Sequence, residues 1–323
     1  MNRLSNLSSR VDGKDNLVCR AVPPSHIRLA LSFVLGDKHY RADDSRVDEF
    51  IEVAGQRGIL LSRMYAAELA GKMIWSLLPV QNPGRTILIL GTPHASADLS
   101  EPARQTLLLC CDEFGKAGIH VAQALLEPGD AALANLYTSA GFVRIAELYY
   151  MQRTIRRAKE VPTLPDAFRI LTYSLANHAL FAQAILNSYE QSMDCPMLSG
   201  MREIDDIMAG HQSVGIFDPL DWMVVLQRDV PVAVLLLNQT IHGEGLELVY
   251  LGVCPEARGQ GLGEYLMRVT ERRVVEKNAG ALSLTVDSKN IPAVKLYHRH
   301  GLERAATKIA MIKNLRGPNP EIR

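Results

Sequence analysis

The sequence predicts an α/β (α+β) chain built as two halves of one plan. Three observations predict it. Short Val-, Ile- and Leu-rich runs bounded by Asp, Gly, Pro and Asn alternate with stretches whose apolar residues recur at three- and four-residue spacing. The same order of runs occurs twice in 323 residues, a length that suits about two domains of ~100–200 residues. A charged stretch with two prolines, Arg156–Ala167, separates the two occurrences. The division this implies is a flexible polar arm at 1–20, a first domain at 21–156 and a second at 157–323.

In the second half the pattern predicts strands at 167–174, 221–229, 231–239, 246–253 and 281–287, and a last strand pair within 302–314. Helices are predicted at 177–191, 199–210 and 262–278, with a short one near 293–300. The first half reads as a strand at 26–34, a helix at 43–58, and strands at 62–71, 72–80 and 86–92. A helix at 101–118, a strand at 120–126 and a short helix within 130–142 complete it. "NLYTSAGF" and "KLYHRHGL" both carry Leu-Tyr with Gly four residues after the Tyr, and 34 positions separate Gly263 from Tyr297 and Ala103 from Tyr137 alike.

Bulk properties exclude several function classes. Hydrophobic residues make up 47% of the chain and charged residues 22%, with a formal net charge of zero, so no polyanion-binding surface covers the whole protein and nucleic-acid binding has no support. No apolar run reaches the roughly 18 residues needed to span a bilayer, and the polar N-terminal stretch has no secretory core. Five scattered cysteines without a C-x-x-C pair read as reduced thiols of a cytoplasmic protein, Cys110 and Cys111 as core residues of a helix. No zinc or calcium spacing occurs, and no metal is expected.

The informative stretch is "RGQGLG", Arg258–Gly263, between a strand and a helix. Glycines let a ligand approach the unpaired first amides of the helix, whose dipole makes that end partially positive, and an Arg adds a donor suited to phosphate. Gly263 is followed by Glu264-Tyr265 and not Lys-Ser/Thr, which excludes a P-loop; neither register completes G-x-G-x-x-G. Arg258-Gly259-Gln260-Gly261-Leu262-Gly263 instead follows Arg/Gln-x-x-Gly-x-Gly/Ala throughout. This pattern resembles the acyl-coenzyme-A loop of the GNAT N-acetyltransferase superfamily. "NIPAVKLYHRHGL", Asn290–Leu302, resembles that superfamily's second signature, departing only at Leu302, where the pattern has Phe. The resemblance covers about 167–314, and the tandem arrangement is similar to that of the mycothiol synthases. It implies two GNAT-like domains, each a mixed, mostly antiparallel twisted sheet flanked by helices.

It also implies acetyl-CoA as cofactor and a primary amine as acceptor. Backbone amides of Arg258, Gly259, Gln260, Gly261, Leu262 and Gly263 would hold the pyrophosphate, the strand around Leu251–Val253 would pair with the pantetheine arm, and Asn290 would contact it. An amide there, that of Val253 by our choice, would donate to the thioester oxygen. Tyr297 is the candidate general acid, since a phenol with a pKa of about 10 keeps its proton to give to a departing thiolate. An amine needs a base, and Glu247 is the candidate. It lies six residues before Val253, an even offset that puts both on one face of an unbroken strand. His242 and Glu244 are loop alternatives, and Cys254 is a conceivable acyl carrier without a visible His partner.

The first half lacks this equipment. After "TILILGTPH" comes "ASADLSEPAR", with no glycine and two acids, Asp98 and Glu101, that would oppose a pyrophosphate. It resembles a degenerate copy. The function read here is acetyl transfer to a small-molecule amine. A protein or peptide amine as acceptor, or a non-catalytic acyl-CoA-binding regulatory protein, are the alternatives. The acceptor and the oligomeric state are not legible.

Overall fold

The computed structural model describes residues 16–37, 41–93, 97–198, 200–241 and 244–319. Internal contacts divide the chain into two compact units, Met1–Arg144 with Ala310–Pro320, and Ile145–Ile309. The division falls ahead of the Arg156–Ala167 stretch, because the strand at Val143–Thr154 pairs with a strand of the second unit.

The first unit runs β1 (Leu17–Ala21), α1 (Ile27–Val34), α2 (Asp44–Gln56), β2 (Tyr65–Leu69), β3 (Lys72–Asn82), β4 (Thr86–Gly91), α3 (Ser100–Lys116), β5 (Val121–Leu126) and α4 (Ala131–Ser139). Its strands lie in that order, antiparallel except for the parallel pair β4–β5. In the second unit β6 (Val143–Thr154), β7 (Phe168–Thr172), α5 (His178–Tyr189), α6 (Ile204–Gln212), β8 (Ile216–Gln227) and β9 (Val230–Gln239) come first. β10 (Leu246–Val253), α7 (Leu262–Glu276), β11 (Ala281–Asp287) and α8 (Ile291–Arg299) follow, and β12 (Glu303–Asn314) ends the chain's regular structure. The sheet order is β6-β11-β10-β9-β8-β7, with only β10–β11 parallel. The mixed, mostly antiparallel sheet flanked by helices is as expected.

Two apolar layers cover that second sheet. Leu235, Leu237, Leu246 and Leu248 pack with Leu262, Leu266 and Val274 of α7 and with Leu296 and Tyr297 of α8. Val224, Val234 and Leu236 on the other face pack with Phe181, Ala184 and Ile185 of α5 and Ile207 and Met208 of α6.

Four expectations change. Residues 27–34 form helix α1, not a strand. Ile27, Leu29, Leu31 and Phe33 alternate as in a strand, but the buried set Ala30, Leu31 and Val34 follows helical spacing behind Pro23-Pro24. The expected arm is strand β1 from Leu17 onward, paired with β2; residues 1–15 lie outside the described residues. β6, Val143–Thr154, is a strand in a stretch for which the sequence pattern predicts no element. The last strand pair is one strand, β12.

Candidate active site

The site begins where the parallel strands β10 and β11 diverge. They pair only through Leu246–Leu282, Glu247–Ser283 and Leu248–Leu284; beyond these, no ladder joins Leu251–Val253 to Thr285–Asp287. On its other edge β10 stays paired with β9, Cys254 N–H reaching Val232 O at 2.8 Å. By antiparallel alternation the amides of Leu251 and Val253 therefore point away from β9 into the gap. These are the two residues that the resemblance assigns to pantetheine pairing.

A β-bulge between Leu248 and Tyr250 changes the reading of Glu247. Glu247 stands opposite Asn238, while Tyr250 and Gly252 stand opposite Leu236 and Val234, so all three share the face covered by α5 and α6. Leu251 and Val253, opposite Leu235 and Ala233, share the α7 face. The even offset from Glu247 to Val253 thus crosses the sheet, because one extra residue reverses the alternation. Glu247 has no hydrogen bond or ion pair among the described residues, and burial pushes its carboxyl up from the usual range. Burial, and then the charge of Glu247, also push up the phenol of Tyr150 on β6.

At the end of β10 the glycine turn makes a cradle. Gly259 and Gly261 have φ of +76° and +83°, values open to glycine and strained for other residues. A Cβ at either would meet nothing within 4 Å, so both border open space. No side chain caps α7, and its first internal bond is Tyr265 N–H to Gly261 O at 2.9 Å. The amides of Leu262, Gly263 and Glu264 are left without helical partners at the positive end of the dipole. Gly263 serves packing: a Cβ there would stand 3.3 Å from Leu296 Cδ2 of α8.

The guanidinium of Arg258 does not face this cradle. Its Nε donates to Val253 O at 3.0 Å, Nη2 to Ser188 O at 3.1 Å and Glu190 O at 2.7 Å, and Nη1 to Gln191 O at 3.3 Å. It caps the C-terminal carbonyls of α5, where the dipole favours a cation. Arg258 N–H donates to Pro255 O at 3.2 Å, so this amide is already partnered too. A phosphate-facing role for the side chain is corrected on this geometry. Gln260 Nε2 bonds Glu256 O at 3.0 Å and holds the turn.

Tyr297 on α8 is buried, 7% exposed. Burial first, and then the charge of Asp194, push its phenol up, which keeps the proton on an intended acid. Asn290 caps α8 by accepting from Ala293 N–H at 3.4 Å. Asp194, on the α5–α6 loop, accepts from Asp287 N–H at 3.1 Å at the end of β11 and is marked by no local sequence motif. Cys254 is buried, its Sγ against Ala184 O and Pro231 O, and burial first among several causes pushes its thiol up to about 11, which disfavours an acyl-Cys. His242 lies outside the described residues; Glu244 is in the exposed turn before β10.

The first unit has the same divergence and a different filling. β4 and β5 pair only at Thr86–Val121, Ile87–Ala122 and Leu88–Gln123. Thr92 N–H bonds Ser76 O at 2.9 Å as Cys254 N–H bonds Val232 O, so Gly91 stands where Val253 does. A Cβ at Gly91 would stand 2.9 Å from Tyr137 Oη and 3.1 Å from the Trp75 ring. Trp75 is fully buried with its Nε1 unpartnered. The first turn of α3 carries Glu101, held near pKa 2 by hydrogen bonds from Arg104 and Gln105.

A sheet with diverging parallel strands, an amide cradle at the following helix and a buried tyrosine beyond defines the class of acyltransferase folds. Residues 189–302 match the model of the Acetyltransferase (GNAT) family. The chain is 32% identical over 190 residues to a mycothiol acetyltransferase of Kineococcus radiotolerans, covering 56% of this chain and 57% of that one. It is 28% identical over 188 residues to a mycothiol acetyltransferase of Kocuria rhizophila, covering 55% and 60%. The matches thus span somewhat under two thirds of those relatives. Among solved structures it resembles a GCN5-related N-acetyltransferase from Sphaerobacter thermophilus, with TM-score 0.56 and 15% identity over 94% of this chain and 98% of that one. It also resembles a tandem GNAT protein from the clavulanic acid biosynthesis pathway, with TM-score 0.51 and 12% identity over 94% and 99%. These likenesses bear on the fold. No helix among the described residues is long and apolar enough to cross a membrane.

Proposed function

We propose that the chain is an acetyl-CoA-dependent N-acetyltransferase that acts on a primary amine of a small molecule, with the reaction in the second half. The observation that carries this reading is the gap between β10 and β11, opening beside an amide cradle that no side chain caps among the described residues. The names of the mycothiol acetyltransferases support a small-molecule acceptor.

The residues present suit the cofactor. Amides of Gly259–Gly263 offer donors to a pyrophosphate in open space, and Leu251 and Val253 offer an edge for an extended arm. Bound acetyl-CoA supplies the acetyl group as a thioester. Val253 N–H is turned to donate to a carbonyl oxygen held in the gap. Tyr297, proton retained, donates to a departing thiolate from the α8 face. Glu247, on the opposite face, takes a proton from the incoming ammonium, directly or through a water. The raised pKa of this buried carboxyl makes it a stronger base than an exposed glutamate.

The test is release of free thiol from acetyl-CoA over a panel of aliphatic amines, amino acids, amino sugars, polyamines and peptides, with Gly261→Glu as control. We expect one amine class to yield thiol and N-acetyl product in equal amounts, and the control none. Binding of CoA by the wild type with no transfer to any amine would favour a non-catalytic acyl-CoA-binding protein instead.

A further inference from the structure

Helix α7 begins on the amides that acetyl transfer needs free, and its third residue is of a kind that takes them. Glu264 is the acid of the first turn. A glutamate at the third helical position can turn back on the unpaired amides of its own helix, as in a capping box. Helical side chains lean towards the N-terminus, and the dipole favours a negative charge there. A carboxylate in that place would compete with a pyrophosphate. Yet among the described residues no side chain caps α7.

The Glu264 carboxylate is held elsewhere. Arg268, one turn further along α7, brings Nη2 to 3.0 Å from Glu264 Oε1. His300, just past α8, brings Nε2 to 3.0 Å from Glu264 Oε2, an ion-pair distance off the line of a hydrogen bond. Both oxygens are therefore engaged. His300 is itself buried and fixed: its Nδ1 lies 2.9 Å from Oε1 of Glu271, also buried and also on α7. Arg153 of β6 joins them, its Nη1 at 2.9 Å from the same Glu271 oxygen and bonded to His300 O. Arg268 Nη1 stands 3.5 Å from Glu271 Oε2. A buried charged set of this kind keeps its shape, because removing one member leaves another unpaired. Desolvation is the largest single effect on the Glu264 carboxyl and raises its pKa. His300 and Arg268 together outweigh it and hold the carboxyl below its usual range.

We propose that Arg268 and His300 are positioning residues for the cofactor: they draw the Glu264 carboxylate off the start of α7 and keep its amides open to a pyrophosphate. This rests on the acetyl-transfer reading above. Both side chains act through Glu264 and not by contact with phosphate.

The experiment is a double-mutant cycle on the full chain, with the CoA Kd read by calorimetry and Tm measured for every protein. Arg268→Met keeps the aliphatic stem and removes the charge. It should raise the CoA Kd by ~5-fold, about the worth of one helix cap. In a Glu264→Ala background, where no carboxylate is left to restrain, the same change should move the Kd by less than about twofold. His300→Gln should behave in the same way in the two backgrounds, and decides the matter if Arg268→Met does not fold. Equal losses in both backgrounds would overturn the proposal, by showing that the cation acts on the phosphate directly. A CoA Kd within about twofold of wild type in the folded single variants would overturn it as well, and leave the acetyl-transfer reading standing. A wild type that binds no CoA overturns both.

Discussion

A phenol and a carboxylate on opposite faces of one sheet can serve one reaction only if something connects the faces. The divergence of β10 from β11 is that connection, and it makes Tyr297 and Glu247 separately testable. Tyr297→Phe should lower kcat by ~10- to 1000-fold with CoA affinity nearly unchanged, as befits loss of a general acid. Tyr137→Phe should leave kcat alone, because its hydroxyl lies against Gly91 and Trp75 in the filled gap; equal losses from the two changes would overturn the assignment. Glu247→Gln should remove the rising limb of kcat/KM with pH, a limb shifted upward by the raised carboxyl pKa, and should regain activity at high pH where more amine is neutral. Its effect on stability has the opposite sense. A folded pKa above the unfolded one means the folded state holds the proton more tightly, so stability falls as pH rises through the ordinary carboxylate range towards the folded value. Glu247→Gln should therefore raise Tm at neutral pH and have little effect at pH 4. Tyr297 was legible because it closes a sequence signature. Asp194 was not, because its partner Asp287 is 93 positions away and no spacing announces it.

At the scale of elements, the sequence showed order better than register. The strand–glycine turn–helix unit was legible from its punctuation, and α7 begins at Leu262 as the glycines suggest. The bulge at Leu248–Tyr250 was not, since an extra residue within an apolar run leaves no trace in the pattern while exchanging the faces on either side of it. Likewise α1 alternates like a strand along its length and reveals its helix only in which residues it buries. Arg258 misleads for a related reason. Its place beside three glycines suggests phosphate, but the end of α5 packs close to β10, Ser188 Oγ bonding Tyr250 Oη at 2.8 Å, and brings unpaired carbonyls within reach. Arg258→Ala should therefore lower stability by on the order of 1 kcal/mol after allowance for its exposure, a Tm drop of about 2–4 °C. The CoA Kd should rise less than about threefold. A large loss of CoA affinity in a protein with unchanged Tm would return the side chain to the phosphate. Arg258→Lys should rescue little, because one ammonium cannot bridge the carbonyls that a planar fork reaches.

For the whole molecule the consequence is a count of cofactor sites. In both units a pair of parallel strands diverges after three residue pairs, so the architecture alone would allow two sites per chain. Chemistry separates them. In the second unit the helix after the divergence starts on Gly261 with uncapped amides and open space around the glycines. In the first unit the corresponding helix carries Glu101 in its first turn, which stays ionised far below neutral pH and would repel a pyrophosphate. The gap there ends on Tyr137 and the buried Trp75 ring. The absent glycines and the acids were legible in the sequence; the indole filling the gap was not, since only the pairing of β3 with β4 brings Trp75 to Gly91. Calorimetric titration with CoA should accordingly give one site per chain. Gly261→Glu should abolish it, by placing a carboxylate in the cradle and a side chain at a φ of +83°. Trp75→Ala, which clears the first gap but leaves Glu101, should add no second site, whereas it should destabilise the first unit by about 3–5 kcal/mol through the cavity left behind. Pairing Trp75→Ala with Glu101→Gly asks whether charge or filling is the stronger bar. A second site in the wild type would mean that the first gap is open to the cofactor despite Trp75 and Glu101, and one that appears on Trp75→Ala alone would mean that the first unit is a cofactor domain closed only by its indole.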